Sequence, residues 1–188
     1  MPVPRPRHVP VLFASHDVRT TRVAQHVAEM LRDSGCDSHA VDLSSREGRT
    51  LDWQAVDALV LGTALRAGQL EGQALRFARQ HVDLLNSCPS AFFVVSLGPH
   101  PADPASAETA ARDARAFVDA VRWHPSRLGC FTGHLPPAGT GWVGRLIGWA
   151  TARHDGQQAD ADGFTDWAAV SRFARDFAVE LRTRAAGS

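Results

Sequence analysis

Three observations in the amino-acid sequence predict a doubly wound α/β fold, with five parallel strands in the order 2-1-3-4-5 and helices on both faces. Short, continuously apolar runs recur along the chain, among them VPVLFAS, DALVLGT and AFFVVSL; a strand without polar alternation belongs to a sheet covered on both sides. Most of these runs lead into a segment whose apolar residues fall at helical spacing, and such alternation implies right-handed crossovers between parallel strands. The chain is also 188 residues long, enough for one domain with a full core and short for two.

The elements follow in order. Residues 1–8 carry alternating prolines and are expected as an extended tail, ahead of one domain over 9–184 and a disordered tail at 185–188. Val9 to Ser15 is strand one. Behind it Val23, Val27, Met30 and Leu31 lie at offsets of four, seven and eight, one face of a helix, with Thr20 or Thr21 as its cap and Gly35 at its end. SHAVDL is strand two and DALVLGT strand three. A loop is then expected from Ala64 to Gly72, followed by one helix with Leu75, Ala78, Val82 and Leu85 on its inner side and Pro89 as its breaker. AFFVVSL is strand four. A Pro-rich loop from Gly98 leads into a helix with Ala116, Phe117, Ala120 and Val121 inward, and SRLGCFTGHL supplies strand five. An irregular insertion near residues 136–163 contains the short apolar segment WVGRLIGWATAR. The chain closes with an amphipathic helix that turns Trp167, Val170, Phe173, Ala174 and Phe177 inward and is capped by Thr165 or Asp166.

Composition narrows the function classes. Twenty basic and twenty acidic side chains cancel, which removes a general electrostatic reason for nucleic acid or an anionic membrane to be the main partner. Cys36, Cys88 and Cys130 are odd in number and widely spaced, unlike a disulfide framework or a zinc site. No stretch reaches the ~18 apolar residues of a spanning helix, and MPVPRPRHVP lacks the apolar segment of a signal peptide. A soluble, cytoplasmic protein is expected, with peripheral contact at the inner face of the cell membrane left open. The nine histidines show no H-E-x-x-H or paired-cysteine spacing, so no metal site is expected. Ser15, His16 and Asp17 are the residue types of a hydrolase triad, but neighbours on an extended stretch point apart and cannot form a relay. GTGWVG at Gly139 to Gly144 matches G-x-G-x-x-G. Pro136, Pro137 and Ala138 separate it from the preceding strand, and no strand follows, so a hinge into a short helix is the better reading.

In an open parallel sheet, ligands bind beyond the carboxyl ends of the strands, where neighbouring crossovers leave for opposite faces. Three loops arrive there, ASHDVRTT after strand one, TALRAGQLEG after strand three and SLGPHPADP after strand four. Together they can wrap a flat ligand with a phosphate tail. Ser15 and Thr20 offer hydroxyls, the amides at the helix start favour an anion, and His16 and Arg19 bring positive charge. Asp17 is repulsive to a phosphate, and Val18 is strained if the loop demands positive φ.

VLFASHDVRTTRVA, LGTALRAGQLEG, LLNSCPSAFFVVSL, WHPSRLGCFTGHL and TDWAAVSRFARDFA stand in an order that resembles a flavodoxin. The finer match is to the flavodoxin-like, menaquinone-dependent protoporphyrinogen oxidases of bacteria, from Val9 to about Leu181. The resemblance implies FMN as cofactor, oxidation of protoporphyrinogen IX to the porphyrin, and a quinone as electron acceptor. It implies cofactor contacts from Ser15, His16, Asp17, Val18, Arg19 and Thr20, where the family loop resembles S/T-x-T-G-x-T. It implies others from Thr63, Ala64, Leu65, Arg66, Ala67 and Gly68, and from Ser96, Leu97 and Gly98. Ala67 stands where relatives tend to place an aromatic near the isoalloxazine ring. Arg66 either lies over the ring, meets a porphyrinogen propionate or is a solvated loop arginine, and Trp142 and Arg145 join it as substrate contacts, on a segment that either covers a porphyrin, dips into the headgroup region or packs on its own domain. No general acid or base stands out, so the redox step is the flavin's. Two other functions stay open: a flavodoxin-like module that has lost flavin, which Val18 and Ala67 favour, and an electron carrier or quinone reductase without porphyrin chemistry.

Overall fold

The structure is a computed structural model, and it describes residues 5–66, 68–96, 104–131 and 165–186, the side chains of 104–106 and 186 excepted. Ala67, Leu97, Gly98, Trp142, Arg145 and the expected insertion at 136–163 lie outside the described residues.

Strand β1 (Val11–Ala14) leads into helix α1 (Val18–Asp33), then β2 (Ala40–Asp42) and the single helical turn α2 (Arg46–Arg49). Next come β3 (Leu59–Arg66), the short β4 (Gln69–Leu70), helices α3 (Gly72–Gln80) and α4 (Val82–Ser87), and β5 (Ser90–Ser96). Helix α5 (Pro104–Val121), β6 (Arg127–Phe131) and helix α6 (Trp167–Ala186) complete the order. The last helix runs past the 184 at which the domain is expected to end. At the other end Arg5 pairs with Asp57 at 2.9 Å and His8 forms a parallel bridge with Asp37.

The main path of the sheet runs β2-β1-β3-β5-β6, every pairing along it parallel. This is the expected 2-1-3-4-5 path with one correction: the sheet has six strands, because β4 folds back antiparallel on β3. The cause is local. Ala64, Leu65 and Arg66, expected in a loop, continue β3 because Ala64 and Leu65 are apolar and find cover in the core. Gly68, at φ +76, then allows a tight reversal into Gln69.

Apolar residues one apart along a strand serve different cores. Val11, Phe13, Val60, Phe93 and Val95 face a layer built by α1 and α6, with Val23, Val27, Leu31, Phe173 and Phe177. Leu12, Ala14, Leu59, Leu61, Phe92 and Val94 face the layer of α3, α4 and α5, with Phe77, Leu85, Phe117 and Trp123. Gly62 is a place where only glycine fits: a Cβ there would lie 2.0 Å from the Phe93 ring, which therefore packs flat against the strand backbone.

Two helical expectations need correcting. The segment after β4 is two helices broken at His81, so Val82 and Leu85 pack from α4. In α5 the buried face is Ala107, Ala110, Ala114, Phe117, Val118 and Val121, whereas Ala116 and Ala120 are exposed; a run this rich in alanine leaves the inward face to be fixed by its few large residues. Asp166 caps α6, its Oδ1 accepting from the Ala169 amide at 2.9 Å, as expected.

Candidate functional site

Helix α1 covers one face of the sheet and α3 the other, so the chain changes sides between β1 and β3. Their carboxyl ends are adjacent: Ala14 pairs with Thr63, and the Thr63 hydroxyl donates to the Ala14 carbonyl at 3.3 Å. On the far side of β3, Leu65 pairs with Ser96 at the end of β5. Ser15, Arg66 and Ser96 thus stand at the tips of three neighbouring strands, at the switch in crossover direction where open α/β sheets bind their ligands.

The loop from β1 to α1 is three or four residues shorter than the expected cap positions imply. Asp17 is the N-cap, at φ −102 and ψ 130, and its Oδ1 accepts from the Arg19 amide at 2.8 Å; the cap is neither Thr20 nor Thr21, because an aspartate flanking the helix start is the stronger cap. Ser15 Oγ accepts from the Asp17 amide at 2.9 Å, and the Asp17 carbonyl accepts from the amide and hydroxyl of Thr21, each at 3.3 Å. Val18 is therefore the first residue of an ordinary right-handed helix, 67% exposed. Among the described residues the only non-glycine with positive φ is Arg122. The loop makes no demand for glycine at position 18, and the strain that a β-branched residue would suffer there does not arise.

Thr20 lies on the first turn of α1, fully buried, and its Oγ1 has no hydrogen-bond partner. A hydroxyl so placed costs about 1–3 kcal/mol unless something meets it. The first amides of a helix also lack intrahelical acceptors. Those of Arg19 and Thr21 are taken by Asp17, leaving those of Val18 and Thr20 without a protein acceptor among the described residues. An anion suits this donor set, and a phosphate monoester, with three strong acceptor oxygens, fits both the spare amides and the orphaned hydroxyl.

The remaining expected residues divide clearly. His16 is exposed, Arg19 and Ser96 are half-buried. Thr63, Ala64 and Leu65 are buried strand residues, and the Leu65 side chain belongs to the core. Arg66 is brought to the first loop, its Nη2 3.8 Å from Asp17 Oδ2 with the guanidinium side chain 65% exposed. That clasp escaped the sequence reading, since nothing in either segment says that the two loops touch. Asp113 of α5 escaped it too: a Cβ at Gly68 would lie 3.9 Å from its Oδ2, an oxygen closed to solvent and without a partner. Among the described residues no group of three or more His, Cys, Asp or Glu side chains is placed to hold a metal, and none of their helices is long and apolar enough to cross a membrane.

This switch point on a 2-1-3-5-6 parallel sheet, with free helix-start amides behind its first strand, defines a flavodoxin-type protein. The flavodoxin domain family model matches residues 10–162, and the chain belongs to that family, whose ligand class is a flavin. The chain is 28% identical over 171 residues to protoporphyrinogen IX dehydrogenase [quinone] of Escherichia coli K12, covering 89% of this chain and 93% of that protein. It is 29% identical over 175 residues to the protein of the same name from Leishmania major, covering 90% of this chain and 74% of that one. Among solved structures, a flavodoxin of Streptococcus pneumonia TIGR4 superposes with a TM-score of 0.56 at 16% identity, covering 92% of this chain and 98% of that one. Oxidised Flavodoxin 2 from Bacillus cereus gives 0.52 at 16% identity, covering 92% and 99%. These likenesses show the fold.

Proposed function

We propose that this protein is an FMN-dependent oxidoreductase that converts protoporphyrinogen IX to protoporphyrin IX and delivers the electrons to a quinone. The observation that carries the reading is the length of the similarity: about nine-tenths of the chain aligns with two proteins named for that reaction, well beyond what a shared phosphate loop would produce.

The residues present suit the cofactor. The amides of Val18 and Thr20 and the buried Thr20 hydroxyl hold the phosphate, with Ser15 keeping its own proton free to donate after accepting from the Asp17 amide. Arg66 and Ser96 stand at the strand tips on either side of the flavin's place, and the exposed Arg66 guanidinium matches a porphyrinogen propionate. Leu97, Gly98, Ala67, Trp142 and Arg145 belong to the same proposed site. When bound, FMN supplies the electron-accepting chemistry, and the protein supplies position and electrostatic surroundings. Residues 9–184 act as one domain. A quinone acceptor places the reaction beside a lipid surface, so the protein works from the cytoplasm in peripheral contact with the membrane.

The test is a titration of flavin-stripped protein with FMN, read by quenching of flavin fluorescence, followed by protoporphyrinogen IX and menaquinone, read by porphyrin fluorescence. Saturable binding and porphyrin formation are expected. Colourless protein with no saturable binding would instead identify an interaction module without flavin. Flavin reduction by another donor, with none by protoporphyrinogen, would identify an electron carrier or quinone reductase.

A further inference from the structure

Asp17 holds a carboxylate beside the donors that an anionic ligand needs. Its Oδ1 accepts from the Arg19 amide at 2.8 Å, its Oδ2 lies 3.8 Å from the Arg66 guanidinium, and both contacts sit at the positive end of the α1 dipole. A first-turn amide and a neighbouring guanidinium are also what a phosphate would take. Two like charges cannot share so small a donor set without mutual destabilisation. The buried hydroxyl of Thr20 on the same turn has no partner of its own.

We infer that Asp17 is a resident anion that competes with the ligand's phosphate, and so determines how strongly the site discriminates between FMN and its uncharged counterpart, riboflavin. The inference rests on the flavin reading given above. With Asp17 in place, a phosphate on the Val18 and Thr20 amides lies beside a carboxylate that already holds the Arg19 amide and pairs with Arg66, and the two negative charges repel. The ring and ribityl portions of the ligand meet no such competitor. The phosphate therefore contributes less to affinity than the donor set allows, and riboflavin binds nearly as well as FMN.

Asp17→Asn and Asp17→Ser test this, because both remain good helix caps and remove only the charge. Apo forms of the wild type and both variants are titrated with FMN and with riboflavin, read by fluorescence quenching. Both variants are expected to bind FMN about ten-fold more tightly, with riboflavin affinity unchanged within about two-fold. Inorganic phosphate is expected to raise the melting temperature of the variants more than that of the wild type. Equal FMN affinity in all three proteins, weaker FMN binding by the variants, or equal tightening toward both flavins would overturn the role given to Asp17 while leaving the flavin reading intact. Absence of saturable binding to either flavin in all three would remove both.

Discussion

Thr20 states the logic of the site in a single side chain. A buried hydroxyl without a partner burdens the folded protein and is worth keeping only where a ligand completes it. Replacing Thr20 with valine, nearly the same shape without the hydroxyl, is expected to stabilise the apo protein by about 1 kcal/mol, raising its melting temperature by roughly 2–4 °C. The same change should weaken FMN binding by ten-fold or more through loss of a hydrogen bond to a charged group. Thermal denaturation and flavin titration of one variant report both effects. A valine variant that is less stable than the wild type would mean that Thr20 Oγ1 is satisfied in the apo protein. Val18, on the same turn, teaches the complementary point: its unsuitability depended on a backbone conformation that the loop does not adopt.

At the scale of elements, α1 must be held firmly if its first turn is to cradle a phosphate, and part of the hold is polar. His26 of α1 meets Ser171 of α6 at 2.7 Å, and Ser171 Oγ in turn donates to the Trp167 carbonyl at 2.8 Å. The serine proton is therefore engaged, and His26 Nε2 carries a hydrogen and donates to the serine oxygen. Burial lowers the His26 pKa below 6.5 and Arg175 adds to the effect, while Glu29 and Asp33 oppose it. Burial lowers that of His81 as well. The unfolded chain thus takes up protons first as pH falls through 6.5, so stability is complete above that pH and declines below it. The urea midpoint is expected to drop between pH 7.5 and 5.5, and His26→Gln, which retains an amide donor for Ser171, should reduce the drop to the part contributed by His81. An unchanged pH dependence in that variant would show that the α1–α6 contact is insensitive to protonation.

For the whole molecule, the two cores on either face of one sheet make the fold cooperative, and the proposed ligand site joins the tips of β1, β3 and β5 rather than belonging to any one of them. Ligand binding should therefore stabilise the entire domain. At a free FMN concentration one hundred times its dissociation constant, the gain is about 2.7 kcal/mol, or roughly 5–10 °C in melting temperature for a chain of this size. Thermal melts with increasing FMN should show a single transition moving upward. A second, unmoved transition would mean that part of the chain folds independently of the site.

The sequence by itself determined the parallel sheet, its strand path and the helices on each face, because uninterrupted apolar runs such as Phe92 to Val95 are stable only when covered on both sides. It also marked the neighbouring strand ends from which the loops after β1, β3 and β5 leave, since their position follows from strand order. Tertiary structure alone decided where those loops begin and what their side chains do. Ala64 and Leu65 became strand because a neighbouring core accepted them, the alanine-rich α5 took its orientation from Phe117, Val118 and Val121, and Asp17 became both cap and partner of Arg66 across 49 residues of chain. Periodicity records which residues must leave water, but pairings between distant polar groups arise only once packing has fixed the distance between them.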